Sequence, residues 1–168
     1  MKNKISKKFI ALAASSMSLG VISLASPLMV SASRYTTPRA LRGVWYQYHR
    51  SDNNYTIVSI SAYKFSFVGP YGHALYTPSQ SGIHKLWVER DREFKGGLVY
   101  TFNRCHYHAQ SLGEFWIGKR RINGHYHRVL KSYYNMGGFT VYLKKPIKHD
   151  YSYMVKGSWN KVSKHIGQ

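Results

Sequence analysis

The chain has 168 residues, with 25 lysines and arginines against six acids, a formal charge of +19, and a single cysteine. One thiol cannot form an internal disulfide, so a crosslinked exported scaffold is excluded and stability must come from packing. This length suits one domain with a real core, and the charge bears on association with anions and not on fold.

Lys2, Lys4, Lys7 and Lys8 precede an uncharged stretch from Phe9 to Val30, and Val30-Ser31-Ala32 supplies small residues for a peptidase. This pattern predicts an N-terminal signal peptide over residues 1–32. A membrane-spanning helix is the competing reading of the same stretch, but five serines and Pro27 dilute it. No cysteine lies near the cut and the tail KVSKHIGQ holds no sorting sequence, so attachment to a cell is expected to be non-covalent. Four of the basic residues leave with the signal and all six acids stay, which gives the mature chain a charge of +15.

Residues 33–42 form a lead-in, with Thr37 able to cap a turn that begins at Pro38 and Leu41 able to fold back as an apolar plug. A single domain is expected over residues 43–168. From Gly43 the pattern has a period of two, which predicts strands near 44–50, 54–61, 63–68, 72–77, 83–89, 97–103, 114–122, 125–132 and 138–143. Asn123-Gly124 between alternating segments predicts a hairpin with a type I′ turn. Trp159, Val162 and Ile166 behind Ser158 predict one short C-terminal helix. The expected fold is therefore all-β: a single antiparallel meander closing into a small barrel, because closure removes exposed edges. A sandwich is the alternative.

Two resemblances attach to these residues. A short turn followed by Gly43-Val44-Trp45 at the first strand resembles the lipocalin and calycin barrels, in which that tryptophan closes the barrel floor. This implies a structural role for Gly43 and Trp45 and a carrier of a small lipophilic ligand. The mature chain, from ALRGVWY to KPIKHDYSYMVKG, is also similar to small secreted proteins of lactobacilli without assigned function, and its lysine-rich, cysteine-poor export design resembles that of Gram-positive bacteria. That likeness implies an extracellular, cell-surface setting.

Charge and aromatics dominate the chemistry. Cationic faces attract anions over long range, and exposed aromatic planes stack on sugars or bases. Basic residues cluster as Lys119, Arg120, Arg121 and Arg128 and again as Lys144, Lys145 and Lys148. These are the candidate contacts for an anionic cell-wall polymer or a membrane surface. No RNP-like, zinc-finger or helix-turn-helix pattern is present, which disfavours nucleic acid. Two His-Tyr-His segments place His106 and His108, and His125 and His127, at strand spacing where each pair could face a metal ion, yet no third ligand is fixed and exposed polar histidines are the expectation. With reference values near 6.5, the nine histidines add positive charge as pH falls toward 5, which predicts tighter binding to an anionic envelope in acid.

Enzyme readings fare worse. Asp52, Glu89, Asp91, Glu93, Glu114 and Asp150 form no evident acid pair, and Cys105 and His106, as strand neighbours, face opposite ways. The expected protein is non-enzymatic, without a cofactor, and either binds envelope polyanions or carries a small lipophilic ligand. Large inward aromatics such as Trp87, Phe102 and Trp116 would fill a barrel, and its mouth is the place to look for a ligand.

Overall fold

Strict alternation makes Gly43–His49 (β1), Asn54–Ser61 (β2), Lys64–Gly69 (β3) and Gly72–Tyr76 (β4) a four-stranded antiparallel meander in that order. The computed structural model describes residues 34–91, 93, 94, 96–103, 112–133 and 135–168. Register places Trp45, Val58, Phe67 and Ala74 across from one another, with Ile60, Phe65 and Tyr76 in the next row. Both rows face the same way, because side chains two apart share a face.

A second sheet follows the order β10-β9-β8-β7-β6-β5, from Val88–Asp91 (β5), Val99–Phe102 (β6), Glu114–Ile122 (β7), His125–Tyr133 (β8), Gly138–Tyr142 (β9) and Tyr153–Met154 (β10). The β7–β8 hairpin forms as expected. Asn123 and Gly124 both adopt positive φ, 48° and 84°, the backbone that a type I′ turn requires.

The two sheets face each other across one core. Phe65 of β3 meets Phe102 of β6 at 5.0 Å and Phe115 of β7 at 5.4 Å between ring centroids, and Leu41 joins this cluster as the expected plug. The opposite face of the six-stranded sheet is covered as well. Val99, Trp116 and Phe139 lie under Val162 and Ile166, while Val129, Val141 and Leu143 lie against Tyr151 and Tyr153.

The expected closed barrel is corrected to two antiparallel sheets. β1 reaches the end of β9 only at Tyr46 and Leu143, which exchange two backbone bonds of 2.8 Å. At the other seam Thr77 and Lys85 share an isolated parallel bridge. The physical reason lies in residues 77–87. Their 3-10 turn, Gly82–His84, brings the chain back parallel to β4, so the antiparallel ladder of a meander cannot continue from β4 to β5.

Smaller corrections follow. The strand expected over 83–89 is that turn followed by β5. The C-terminal helix is a short α1, Trp159–Val162, continued by a 3-10 turn, Ser163–His165, and Ser158 makes no side-chain cap. Thr37 does not cap the turn at Pro38; its hydroxyl donates to the carbonyl of Ser61 instead. Both sheets and their core lie within a compact unit of residues 32–168. The segment expected to be a signal peptide, along with Cys105, His106 and His108, lies outside the described residues.

Candidate functional site

The β7–β8 hairpin concentrates cations toward its Asn123-Gly124 tip, where they surround the buried Ile122 and Val129. Lys119 sits directly across from Arg128, and Arg120 across from His127. Strand β9 runs antiparallel to β8 with Tyr142 opposite Leu130, so the chain returns to the same end at Lys144. Burial, and then repulsion by Arg128, holds the Lys144 ammonium below its ordinary range. The exposed Lys145 and Lys148 follow at once. The two basic clusters that are separate in sequence thus share one end of the six-stranded sheet, with the exposed His125, His127 and His149 among them.

Several of these cations also hold structure. Arg128 donates to the carbonyl of Ala40 at 2.7 Å and Lys144 to that of Arg42 at 3.2 Å, which ties down the 3-10 turn Arg39–Leu41. The Lys144 ammonium lies 3.6 Å from the ring centroid of Trp45, whose indole N–H donates to Leu41 at 2.8 Å. The φ of Gly43, +127°, is what requires a glycine there, and the Lys144 ammonium fills the space beside it. Elsewhere, Arg120 lies 4.7 Å over Tyr153 and Arg121 donates to the Gly124 carbonyl. None of the seven cations pairs with a carboxylate among the described residues; the ion pair observed is between Arg34 and Glu89, at 3.9 Å.

Between the sheets, at the opposite end, lies a cavity of about 270 Å³. Val58, Phe65, Phe67, Leu112, Phe115 and Tyr142 form its apolar walls, and Gln47, His49 and Thr56 stand on the β1–β2 side. His49 Nε2 contacts the Thr56 hydroxyl at 2.7 Å. Tyr71, on the β3–β4 turn, packs edge-on against His49 and donates its hydroxyl to Asp52 at 2.9 Å. Burial pushes the Tyr142 phenol up, so it stays neutral.

The expectation that Trp87, Phe102 and Trp116 all fill the interior is corrected. Phe102 does so, but Trp116 lies on the other face beneath the C-terminal segment, because Phe115 takes the inward position of β7. Trp87 packs instead with Tyr35, 5.3 Å away, under the guanidinium of Arg34. Sequence reasoning missed Gln47, His49 and Thr56; their period of two on a paired hairpin was the available signal.

His125 and His127 are exposed on β8, and among the described residues no group of three metal-ligating side chains forms. Of the described carboxylates, Asp91 and Asp150 serve turns, accepting from the backbone N–H groups of Glu93 and Ser152. No family model, curated protein or solved structure matches the chain.

Proposed function

We propose that this chain is an exported, non-enzymatic protein that associates electrostatically with anionic polymers of a cell envelope. The observation that carries this reading is the meeting of two basic clusters at one end of the six-stranded sheet without a carboxylate partner among the described residues. Unmatched cations held together repel one another, Arg128 adding to the burial that lowers Lys144, and a bound polyanion relieves that repulsion. The exposed His125, His127 and His149 stand at the same end.

The test is retention of residues 33–168 on washed Gram-positive walls with and without teichoic acid, across a salt series. Retention should need the teichoic acid, fall steeply with salt, and rise between pH 7.5 and pH 5 at fixed salt. Lys119→Glu with Arg121→Glu and Lys145→Glu should lower low-salt affinity at least about tenfold, because these side chains do not anchor the lead-in. Undiminished retention of that variant would remove the basic end from the mechanism.

A second reading rests on the cavity: carriage of a small lipophilic ligand between the sheets, as the resemblance of Gly43 and Trp45 to the lipocalin start implies. Its volume and largely apolar walls support this. Affinity for such a ligand should hardly change with salt.

A further inference from the structure

We propose that a groove between the β5–β6 loop and the C-terminal segment takes a neutral hexopyranose sugar, its ring stacked on Trp159 and its hydroxyls bonded by Glu93, Lys164 and Gln168. The inference goes beyond both readings above. The groove is separate from the cavity between the sheets, and none of the seven cations of the basic end lines it.

Trp159 sets this groove apart. Trp45 and Trp116 are 0% exposed and Trp87 6%, whereas Trp159 is 50% exposed. Its indole is nonetheless held in place. Phe94 lies 6.3 Å away and Tyr133 6.1 Å away between ring centroids, and Phe94 is packed in turn against the core of Val99, Trp116 and Phe139. An aromatic plane that is fixed but half open to water loses little freedom on binding, and it offers an apolar surface to the C–H face of a sugar ring.

The walls are fixed as well. Glu93, Phe94 and Gly96 stand on one side and Trp159, Lys164 and Gln168 on the other, around a volume of about 490 Å³ that suits a small molecule. The two sides meet backbone to backbone: a Cβ on Gly96 would stand 2.7 Å from the Ile166 carbonyl oxygen, and one on Gly97 2.5 Å from that of Gly167. The Glu93 N–H donates to the Asp91 carboxylate at 2.9 Å, and the backbone oxygen of Gln168 is held by Trp116 and Lys131. Both polar side chains therefore project from anchored backbone.

The class of ligand follows from these polar groups. A carboxylate accepts hydrogen bonds and an ammonium donates them, while an amide and a hydroxyl do both. Glu93 and Lys164 thus make opposite demands within one groove, and Gln168 and Ser163 can meet either. A simple anion would confront Glu93, and a simple cation would confront Lys164. Neighbouring hydroxyls on a sugar each donate and accept, so a polyol satisfies both groups without bringing a charge of its own. The exposed indole then favours a ring with an apolar face over a linear polyol.

The experiment is acrylamide quenching of tryptophan fluorescence in residues 33–168, the compact unit, during titration with maltotriose and with tri-N-acetylchitotriose. Trp159 is the indole most open to the quencher, so a bound sugar should lower the quenching constant saturably by at least about twofold, equally at low and high salt. Cyclohexanol, a ring with one hydroxyl, and sorbitol, a polyol without a ring, should bind at least about tenfold more weakly. By calorimetry, Glu93→Ala and Lys164→Met, at exposed positions, should each weaken the sugar at least about threefold, and Trp159→Ala should abolish binding. A trisaccharide at least about threefold tighter than its monosaccharide would identify a segment of glycan chain as the ligand, and equal affinities a free sugar; both uphold the assignment.

Protection by cyclohexanol equal to that by the sugars, or sugar affinity untouched by Glu93→Ala and Lys164→Met, would overturn the polyol assignment. Failure of both trisaccharides to protect Trp159 would remove the groove as a sugar site. The variant with Lys119→Glu, Arg121→Glu and Lys145→Glu should keep its sugar affinity, so loss of teichoic acid binding and loss of sugar binding are read separately. The titrations of the unsubstituted chain decide these points even if Trp159→Ala loosens the C-terminal segment.

Discussion

The Trp45 indole is wholly buried, with its N–H on the Leu41 carbonyl and the Lys144 ammonium above its ring. Trp45→Phe keeps most of the apolar bulk but orphans the carbonyl and weakens the cation contact, so it should cost about 1–3 kcal/mol in urea unfolding. Lys144→Met retains the aliphatic stem and loses the charge, which removes both the cation contact and the bond to Arg42. Because these interactions converge on one ring, the double variant should be less destabilised than the sum of the two single ones; additive losses would show that the lead-in is held independently by each. Much of this was legible in the sequence: Gly43, Trp45 and Leu41 stood out by residue type and spacing. Lys144 did not, because its role depends on a return of the chain 99 positions after Trp45, which local periodicity does not encode.

The C-terminal segment is an element secured by its environment more than by its own helix, which has only four α-helical residues. The backbone oxygen of Gln168 accepts from the Trp116 indole and from the Lys131 ammonium, each at 2.8 Å. Gly118 leaves the room for this: a Cβ there would stand 2.6 Å from the same oxygen and 2.9 Å from the Lys131 side chain. Gly118→Ala should therefore displace the tail and cost about 1–3 kcal/mol, with proteolysis near residues 159–168 appearing before the sheets unfold. Agreement between unfolding and cleavage midpoints would show instead that tail and sheet melt as one.

The elements themselves were largely readable, since a period of two and Asn-Gly punctuation are local signals. Their assembly was not. Whether Trp116 or Phe115 points inward depends on register against β6 and β8, and the 77–87 connection decides that the sheets stay separate. The cavity was equally hidden. Gln47, His49 and Thr56 are ordinary strand residues until two sheets enclose them, whereas the basic clusters announce themselves by composition.

For the molecule as a whole, pH acts through the shifted amines and phenols in opposite senses. Burial and Arg120 hold Lys131 below 10.5, and burial and Arg128 do the same to Lys144. Through that window the unfolded chain binds more protons than the folded one, so stability rises with pH and this gain is complete near 10.5. Burial pushes Tyr76, Tyr142 and Tyr153 above 10.0, so beyond that value the unfolded chain gives up phenolic protons that the folded chain keeps, and stability falls. Thermal melts between pH 7 and 11 should show a maximum at about pH 10, and Lys131→Met should flatten the rising limb. A monotonic fall from pH 7 would contradict the burial of Lys131.

The sheets are unequally sheltered. The six-stranded sheet is packed on both faces, while Val44, Val68 and Leu75 of the four-stranded sheet meet water on its outer side. Amide exchange should accordingly be slowest in β7 and β8 and faster by orders of magnitude in β3 and β4, in a partial opening that leaves the larger sheet intact. Such an opening uncovers the space between the layers while the larger sheet keeps its fold.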